Sequence, residues 1–313
     1  MIQYKKLEGL IAPVFTPFTT NDEINSNIIP FYAEQLKRKK IKGAFILGSS
    51  GEGMLMSVTE RLEVIDAWAK ERTQQFKLIV HIGANSYKDS QVLAAHAKKA
   101  GADALSLMGP TFLQPKTVTE LVAYIKVIAD TTPDIPVYYY HIPVRTGIHF
   151  NMIDLLREAK NKIPNLVGIK YTNSNFMDMQ RCINFENGLF DILHGSDETL
   201  LCGLSIGIKG GIGTTYNLIP EVYYDIIGAY NNNESERARK LQLQSVILLN
   251  IISKHGGGIV AGKYLMKMAK IDCGPCRIPL RTIGPTEAIE IENDLKNNNL
   301  YELIINAFTN SSI

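Results

Sequence analysis

The chain of 313 residues is poor in cysteine, with four thiols (Cys182, Cys202, Cys273 and Cys276), and it has a single tryptophan, Trp68. Four cysteines in a chain of this size are too few for a disulfide scaffold and suit a reducing compartment, so a cytoplasmic location is expected. No apolar run reaches the length of a membrane span, and Met1 to Leu10 alternates polar and apolar residues without the apolar stretch of a secretory signal. An excess of one charge is also missing. Lys and Arg number 33 against 31 Asp and Glu, scattered along the chain, and the formal charge of +2 excludes the basic field of a nucleic-acid binder. Neither a nucleic acid nor a membrane is therefore expected as a partner. With 45% hydrophobic and 20% charged residues, disordered, collagen-like and low-complexity readings are excluded too.

What the chain does contain is a series of short apolar runs at near-regular intervals. They are GLIAPVFTPF (9–18), GAFILGS (43–49), KLIVHIG (77–83), ALSLMGP (104–110), VYYYHIP (137–143), LVGIKY (166–171), DILHGS (191–196) and GGIGTTYN (210–217). Each is rich in Ile, Val, Leu or Tyr and most end in Gly, Pro or Ser, as buried parallel strands do. The segments between them have helical spacing. In 59–72, Leu62, Ile65, Trp68 and Ala69 share a face, and Thr59 with Glu60 and Glu63 marks a helix start. Eight strand-like runs alternating with helices over about 250 residues predict an α/β fold, a (β/α)8 barrel. A doubly wound sheet would show a glycine-rich turn after its first strand, and residues 11–23 (IAPVFTPFTTNDE) contain no glycine. From about 221 the pattern is helical. The expected organisation is a barrel carrying the active site over 1–230, then the last barrel helix and a helical C-terminal extension over 231–313. Asn231 to Asn233 is expected to form a loop, and the tail beyond Leu300 to fray.

In such a barrel the chemistry sits at the C-terminal ends of the strands. Lys170 closes the otherwise apolar run LVGIK. Taken alone, a lysine there is most simply a solvated rim residue; held inside the mouth, it loses its proton more easily and can attack a carbonyl. Tyr140, near the end of VYYYHIP, can move a proton beside an imine. Three consecutive tyrosines also suit a strand that fills a core layer, but period two puts Tyr138 and Tyr140 on one side and Tyr139 on the other. GSSGEG (48–53) gathers hydroxyls and backbone N–H groups in a turn suited to a carboxylate, and it lacks the spacing and Gly-Lys-Ser/Thr ending of a phosphate loop. Amine, phenol and carboxylate cradle together specify a class I aldolase-type lyase acting on an α-keto acid. Such chemistry uses a protonated imine as electron sink, so neither a metal nor an organic cofactor is expected.

Other motifs are set aside on position. Cys273-Gly-Pro-Cys276 has the spacing of a redox pair but lies beyond the eighth run, and no second cysteine or histidine pair accompanies it to hold zinc. Gly203-Leu-Ser205-Ile-Gly207 fits a nucleophile elbow, yet Ser205 falls in a helical segment and the glycine run after His255 follows it, the reverse of the hydrolase order. The six histidines show no metal-ligand spacing, and His141 is read as a pocket or structural hydrogen-bonding group.

Five motifs, GSSGE (48–52), YYHIPVRTG (139–147), GIKYT (168–172), GSDE (195–198) and GGIGTTYN (210–217), occur in one order and resemble the dihydrodipicolinate synthase/N-acetylneuraminate lyase family, its sialic acid-cleaving branch most of all. The resemblance runs from about residue 8 to 285. It implies a (β/α)8 barrel with a helical extension, a homotetramer built as a dimer of dimers, and reversible cleavage of N-acetylneuraminate to pyruvate and N-acetylmannosamine. Position by position it implies Lys170 as the imine-forming lysine, Tyr140 as the catalytic tyrosine, and Ser49 and Ser50 as the hydroxyl pair that holds the pyruvate carboxylate, Ser49 also relaying the proton. Thr172, Gly195, Asp197, Glu198 and Thr214 match positions that bind the polyhydroxy chain. Asp197 and Glu198 also suit a helix N-terminus. Two positions depart from that branch. Arg145 stands where the synthases bind a second substrate's carboxylate, which suits condensation of pyruvate with aspartate semialdehyde, the reaction of 4-hydroxy-tetrahydrodipicolinate synthase. Phe112 stands where many relatives carry a tyrosine that reaches the neighbouring subunit's site, so a proton relay through that position is not expected. A barrel that binds a keto acid without turning it over is the reading from another class.

Overall fold

A computed structural model of the protein describes residues 2–308. All eight apolar runs form strands: β1 (Gly9–Pro13), β2 (Gly43–Ile46), β3 (Lys77–His81), β4 (Ala104–Leu107), β5 (Val137–His141), β6 (Leu166–Tyr171), β7 (Asp191–His194) and β8 (Gly210–Ile212). They are parallel, neighbours in chain order pair, and β8 closes on β1 through Gly9 and Gly210. Around them run α1 (Ile29–Arg38), α2 (Val58–Ala69), α3 (Tyr87–Lys99), α4 (Val118–Ala129), the short α5 (Pro143–Thr146), α6 (Met152–Ala159), α7 (Phe176–Asn184), α8 (Leu200–Ser205) and α9 (Pro220–Asn231). The protein is a (β/α)8 barrel. The C-terminal part adds α10 (Ser235–Lys254), α11 (Gly257–Met268), α12 (Pro285–Asn297) and α13 (Tyr301–Ile305).

Several local features differ from the sequence expectation. α2 begins at Val58, and its cap is Ser57 instead of Thr59: Ser57 Oγ accepts from Glu60 N at 3.3 Å while the Glu60 carboxylate accepts from Ser57 N at 2.8 Å. This reciprocal box satisfies two donors that the helix leaves open. The buried face of α2 is Arg61, Val64, Ile65 and Trp68, with Leu62 and Ala69 at its margins. Asn231 closes α9, so only Asn232 and Asn233 form the turn. The segment after Leu300 does not fray over its described length: α13 docks with Ile304 fully buried, and residues 309–313 lie outside the described part. Cys273 and Cys276 sit in an irregular segment where burial pushes their thiols up to about 12 and about 11, against the low value a redox thiolate needs. The motif's glycine has a packing reason. Gly274 has φ +67°, and a Cβ there would stand 1.9 Å from Phe18 O. Among the described residues no single helix is long and apolar enough to cross a membrane.

Strand alternation divides the apolar side chains between two layers. Ile11, Phe45, Ile79, Tyr138, Tyr140 and Leu193 fill the barrel interior, whereas Tyr139 and Tyr171 point outward under the helices. One irregularity determines which polar residues meet. Val137 pairs with Leu166, but Tyr138 pairs with Gly168, so β6 carries one extra residue before the register resumes. That bulge puts Lys170 opposite Tyr140; an unbroken register would have placed Ile169 there. Gly168 makes the arrangement fit, since a Cβ would lie 2.0 Å from Asp191 O and 2.8 Å from a Tyr138 ring carbon. Gly168→Ala is therefore expected to cost about 2–3 kcal/mol in urea denaturation, because the contact is with backbone of the next strand and cannot relax by rotation. An unchanged denaturation midpoint would refute this role for the bulge.

Candidate active site at the barrel mouth

Lys170 lies inside the barrel, 4% exposed, with its Nζ 4.0 Å from the centre of the Tyr140 ring and 4.2 Å from that of Phe45. Burying an ammonium costs several kcal/mol, while contact with an aromatic face returns about 0.5–2 kcal/mol. The desolvation cost dominates. Burial pulls the Lys170 ammonium below its ordinary value of 10.5, opposed by the charges of Tyr140 and Asp197 and by hydrogen bonding to the Tyr140 phenol. The same pair acts in the other sense on Tyr140. Burial alone would raise its phenol, but the Lys170 charge, hydrogen bonds with Ser49 and Lys170 and the charge of Arg145 outweigh it and leave it below 10.0. Proton affinity is thus shared between an amine and a phenol held side by side, as a neutral nucleophile and an adjacent acid–base group require.

The turn after β2 stands over this pair. Ser49 Oγ is 3.5 Å from the Tyr140 hydroxyl, and Ser50 Oγ is 3.0 Å from Thr214 Oγ1 across the mouth. Thr16 Oγ1 donates to Gly51 O at 2.6 Å, tying the turn to the loop after β1. Gly53 admits no side chain, since a Cβ would lie 1.9 Å from Leu47 O. Thr172 Oγ1 is buried without a protein hydrogen-bond partner, which leaves a hydroxyl for a ligand. It packs on Gly195, where a Cβ would stand 2.0 Å away, so that glycine has a steric reason in addition to any contact through its backbone. Asp197 is buried and one of its oxygens is engaged: Oδ2 accepts from Thr215 N at 2.7 Å and from the Thr215 hydroxyl. Its structural use and any ligand contact are compatible, since Oδ1 keeps its lone pairs. Glu198 opens towards solvent, yet its carboxyl is pushed up to about 6, first by desolvation and second by the Asp197 charge. The two acids start a short 3-10 turn, Asp197–Thr199, as first-turn acids.

A cavity of about 290 Å3 opens beside the pair, lined by Ser49, Met54, His81, Met108, Arg145 and Leu280 among others. Arg145 is exposed at its rim on α5, within electrostatic reach of Tyr140. Phe112 is 86% exposed on the neighbouring loop, whose Gln114 Nε2 donates to Thr146 O at 2.7 Å. His141 points away from the interior, as expected of a structural group, with its Nε2 3.2 Å from Asn173 Nδ2 and its ring 4.9 Å from that of Tyr171. The rejected hydrolase residues are engaged elsewhere: Ser205 Oγ donates to Cys202 O at 2.7 Å, and His255 Nε2 bonds Asp294 at 2.7 Å.

Sequence reasoning missed two residues of this site. Phe45 forms the wall under Lys170 and lay unnoticed in an apolar run. His81 ends β3, lines the cavity and meets the Tyr140 ring edge-on at 5.6 Å and 89°. Burial, then the charges of Arg61 and Lys170, holds its imidazole well below 6.5 and hence neutral. Its signal was available: a polar residue ending an apolar strand, the pattern that singled out Lys170.

The chain was compared with known proteins. The signature of the Dihydrodipicolinate synthetase family matches residues 6–298. N-acetylneuraminate lyase A of Xenopus laevis is 40% identical over 279 residues, 88% of this chain and 91% of that protein. Among solved structures, Proteus mirabilis N-acetylneuraminate lyase superposes with a TM-score of 0.91 at 33% identity, covering 95% of this chain and 100% of that one. The N-acetylneuraminate lyase (sialic acid aldolase) from Aliivibrio salmonicida gives 0.91 and 33%, over 95% of this chain and 98% of that one. Eight parallel strands, a lysine and a tyrosine paired across β5 and β6, and a family signature spanning nearly the whole barrel and its extension lead to one assignment: the chain belongs to the dihydrodipicolinate synthetase family.

Proposed function

We propose that the chain is a carbon–carbon lyase that reversibly cleaves N-acetylneuraminate to pyruvate and N-acetylmannosamine through an imine on Lys170. The observation that carries this reading is the buried Lys170 amine held against the Tyr140 phenol at the end of paired strands. The similarity to N-acetylneuraminate lyases over most of the chain supports the substrate.

In this reading the neutral Lys170 amine adds to the keto carbon of the open-chain sugar acid, water leaves, and a protonated imine forms. The C4 hydroxyl then gives up its proton towards Tyr140, by way of the substrate carboxylate and Ser49. The C3–C4 bond breaks, its electron pair enters the iminium to give an enamine, and the aldehyde of N-acetylmannosamine departs. The proton returns to C3 of the enamine, and water releases pyruvate and the amine. Ser49 and Ser50 hold the carboxylate; Thr172, Gly195, Asp197, Glu198 and Thr214 face the hydroxylated chain, for which acidic acceptors suit several O–H donors. Exposed Phe112 and Leu113 on the loop after β4, with Val144 on the adjoining α5, support self-association, for which the family resemblance implies a homotetramer built as a dimer of dimers.

Arg145 favours a second carboxylate in the aldehyde partner, the feature of a pyruvate–aspartate semialdehyde condensation, but the single guanidinium lies exposed at the rim of the cavity and acts on Tyr140 through its charge. Arg145→Leu is expected to leave sialic acid cleavage within about threefold of the parent in kcat/KM; a near-total loss would place Arg145 in the sugar site. Lys170→Ala is expected to lose turnover altogether, and borohydride with pyruvate to add mass to the parent protein at Lys170 alone. Substantial residual turnover in the variant would refute the imine mechanism, and an unlabelled parent would leave a keto-acid binder without chemistry. Glu198 ionises as the pH rises through about 6. Below that value it is a protonated and weaker acceptor, so the KM for the sugar acid is expected to climb as pH falls through this range. In Glu198→Gln the KM should be high throughout and its pH profile flat; an unchanged inflection would remove Glu198 from substrate binding.

A further inference from the structure

Glu52 and Lys263 have no part in the chemistry above, yet they form an ion pair shut off from solvent. Lys263 Nζ stands 2.6 Å from Glu52 Oε1, and the two side chains are 2% and 0% exposed. Burying two charges costs several kcal/mol each, and their attraction does not reliably recover it, so stability alone is a poor reason for such a pair. Its geometry supplies another. Glu52 is the last residue of the GSSGE turn and has a left-handed backbone, φ +55°, which costs a side-chain-bearing residue about 1–2 kcal/mol. Its N–H donates to Ser49 O at 3.1 Å, and Gly53 N donates to Gly48 O at 3.2 Å, so Glu52 closes the turn that presents Ser49 and Ser50.

The carboxylate of Glu52 is held from the far side of the molecule. Besides the Lys263 contact from α11, its Oε2 accepts from Arg277 N at 2.8 Å. Lys263 itself donates to Pro275 O at 2.8 Å, and the Arg277 side chain reaches back to Asp22 at 3.0 Å and Glu60 at 2.6 Å. Lys263 Nζ and the Arg277 guanidinium both lie over the Phe18 ring, at 4.3 and 4.4 Å. The serine turn is thus fastened to the C-terminal extension by a fully buried anchor, with little solvent to let it slip.

We infer that Glu52 and Lys263 are positioning residues through which the C-terminal extension fixes the Ser49–Ser50 turn and so sets the affinity for the α-keto acid carboxylate. The inference rests on the reading of that turn as the carboxylate site. Two hydroxyls bind a carboxylate strongly only when both are aimed before it arrives, and a turn freed of its anchor loses that preorganisation. The amine and phenol stand on β6 and β5, apart from the anchor, and meet the turn only through the Ser49 hydroxyl, 3.5 Å from that of Tyr140, so imine formation at saturating keto acid is expected to persist.

The test removes both charges at once, since removing one would leave the other buried and unpaired. In the double variant Glu52→Gln with Lys263→Met, pyruvate is titrated against borohydride trapping on Lys170, read by intact mass, with thermal unfolding followed in parallel. The expected result is a folded protein whose half-saturating pyruvate concentration rises about tenfold, whose trapping at saturation still reaches completion, and whose KM for the sugar acid changes more than kcat. A shift below about twofold in the folded variant overturns the inference. If the double variant does not fold, Glu52→Asp decides, because it keeps both charges while its carboxylate is one methylene too short to hold Lys263 and Arg277 N together; about threefold weaker binding is expected, and unchanged binding overturns the proposal. No trapping in the parent protein would overturn the imine reading and this inference together; normal trapping in the parent with unshifted variants overturns the inference alone.

Discussion

The structure depends on keeping one amine out of water without giving it a full counter-ion. In Lys170 the desolvation penalty is only partly offset, by two aromatic faces, the Tyr140 phenol and the charge of Asp197, and in the proposed reading that imbalance is the source of its reactivity. A carboxylate placed against it would have held the proton in place; open solvent would have restored the ordinary lysine. The barrel supplies the intermediate condition because a strand end at the mouth is enclosed by seven neighbours yet still reachable by a small molecule. Phe45 and His81 belong to the same enclosure. A neutral imidazole and a benzene ring give the amine polarisable walls and no competing charge.

Precision at that spot comes from backbone features some distance away. The bulge in β6 brings Lys170 into register with Tyr140, and Gly168 allows β7 to approach closely enough for the bulge to exist. On the opposite wall the serine turn is shaped by residues with no room for change, Gly53 against Leu47 O and the left-handed Glu52. The C-terminal extension contributes to the site instead of trailing from it. Its α11 and the segment around Arg277 pack on the loops after β1 and β2, and Leu280 lines the cavity.

Much of this was legible in the sequence because parallel strands covered on both faces read as uninterrupted apolar runs ended by Gly, Pro or Ser. All eight strands lie within the runs so identified, and a lysine or a tyrosine near the end of such a run is conspicuous. What was not legible depends on contacts between distant parts of the chain. The bulge that pairs Tyr140 with Lys170 leaves no local mark, since LVGIK reads the same with or without it. Phe45 looks like any core residue until a lysine is seen above its ring. His81 was weighed only as a metal ligand. Ser57 was missed as a cap because it precedes the periodic part of α2, and Ile304 because a short apolar segment near a terminus shows no sign of what it docks against. The anchor between Glu52 and Lys263 joins residues far apart in the chain, and nothing near either one announces the other.

The central claim is that Lys170 Nζ, buried and poised beside the Tyr140 hydroxyl, is the nucleophile for a keto acid whose carboxylate rests on the serine turn. A crystal soaked with pyruvate tests it in one observation. The account predicts continuous density from Nζ to the keto carbon, the carboxylate within hydrogen-bond distance of Ser49 and Ser50, and the Tyr140 oxygen near the same carbon skeleton. Pyruvate bound without a bond to Lys170, or seated away from the serine turn, would contradict it.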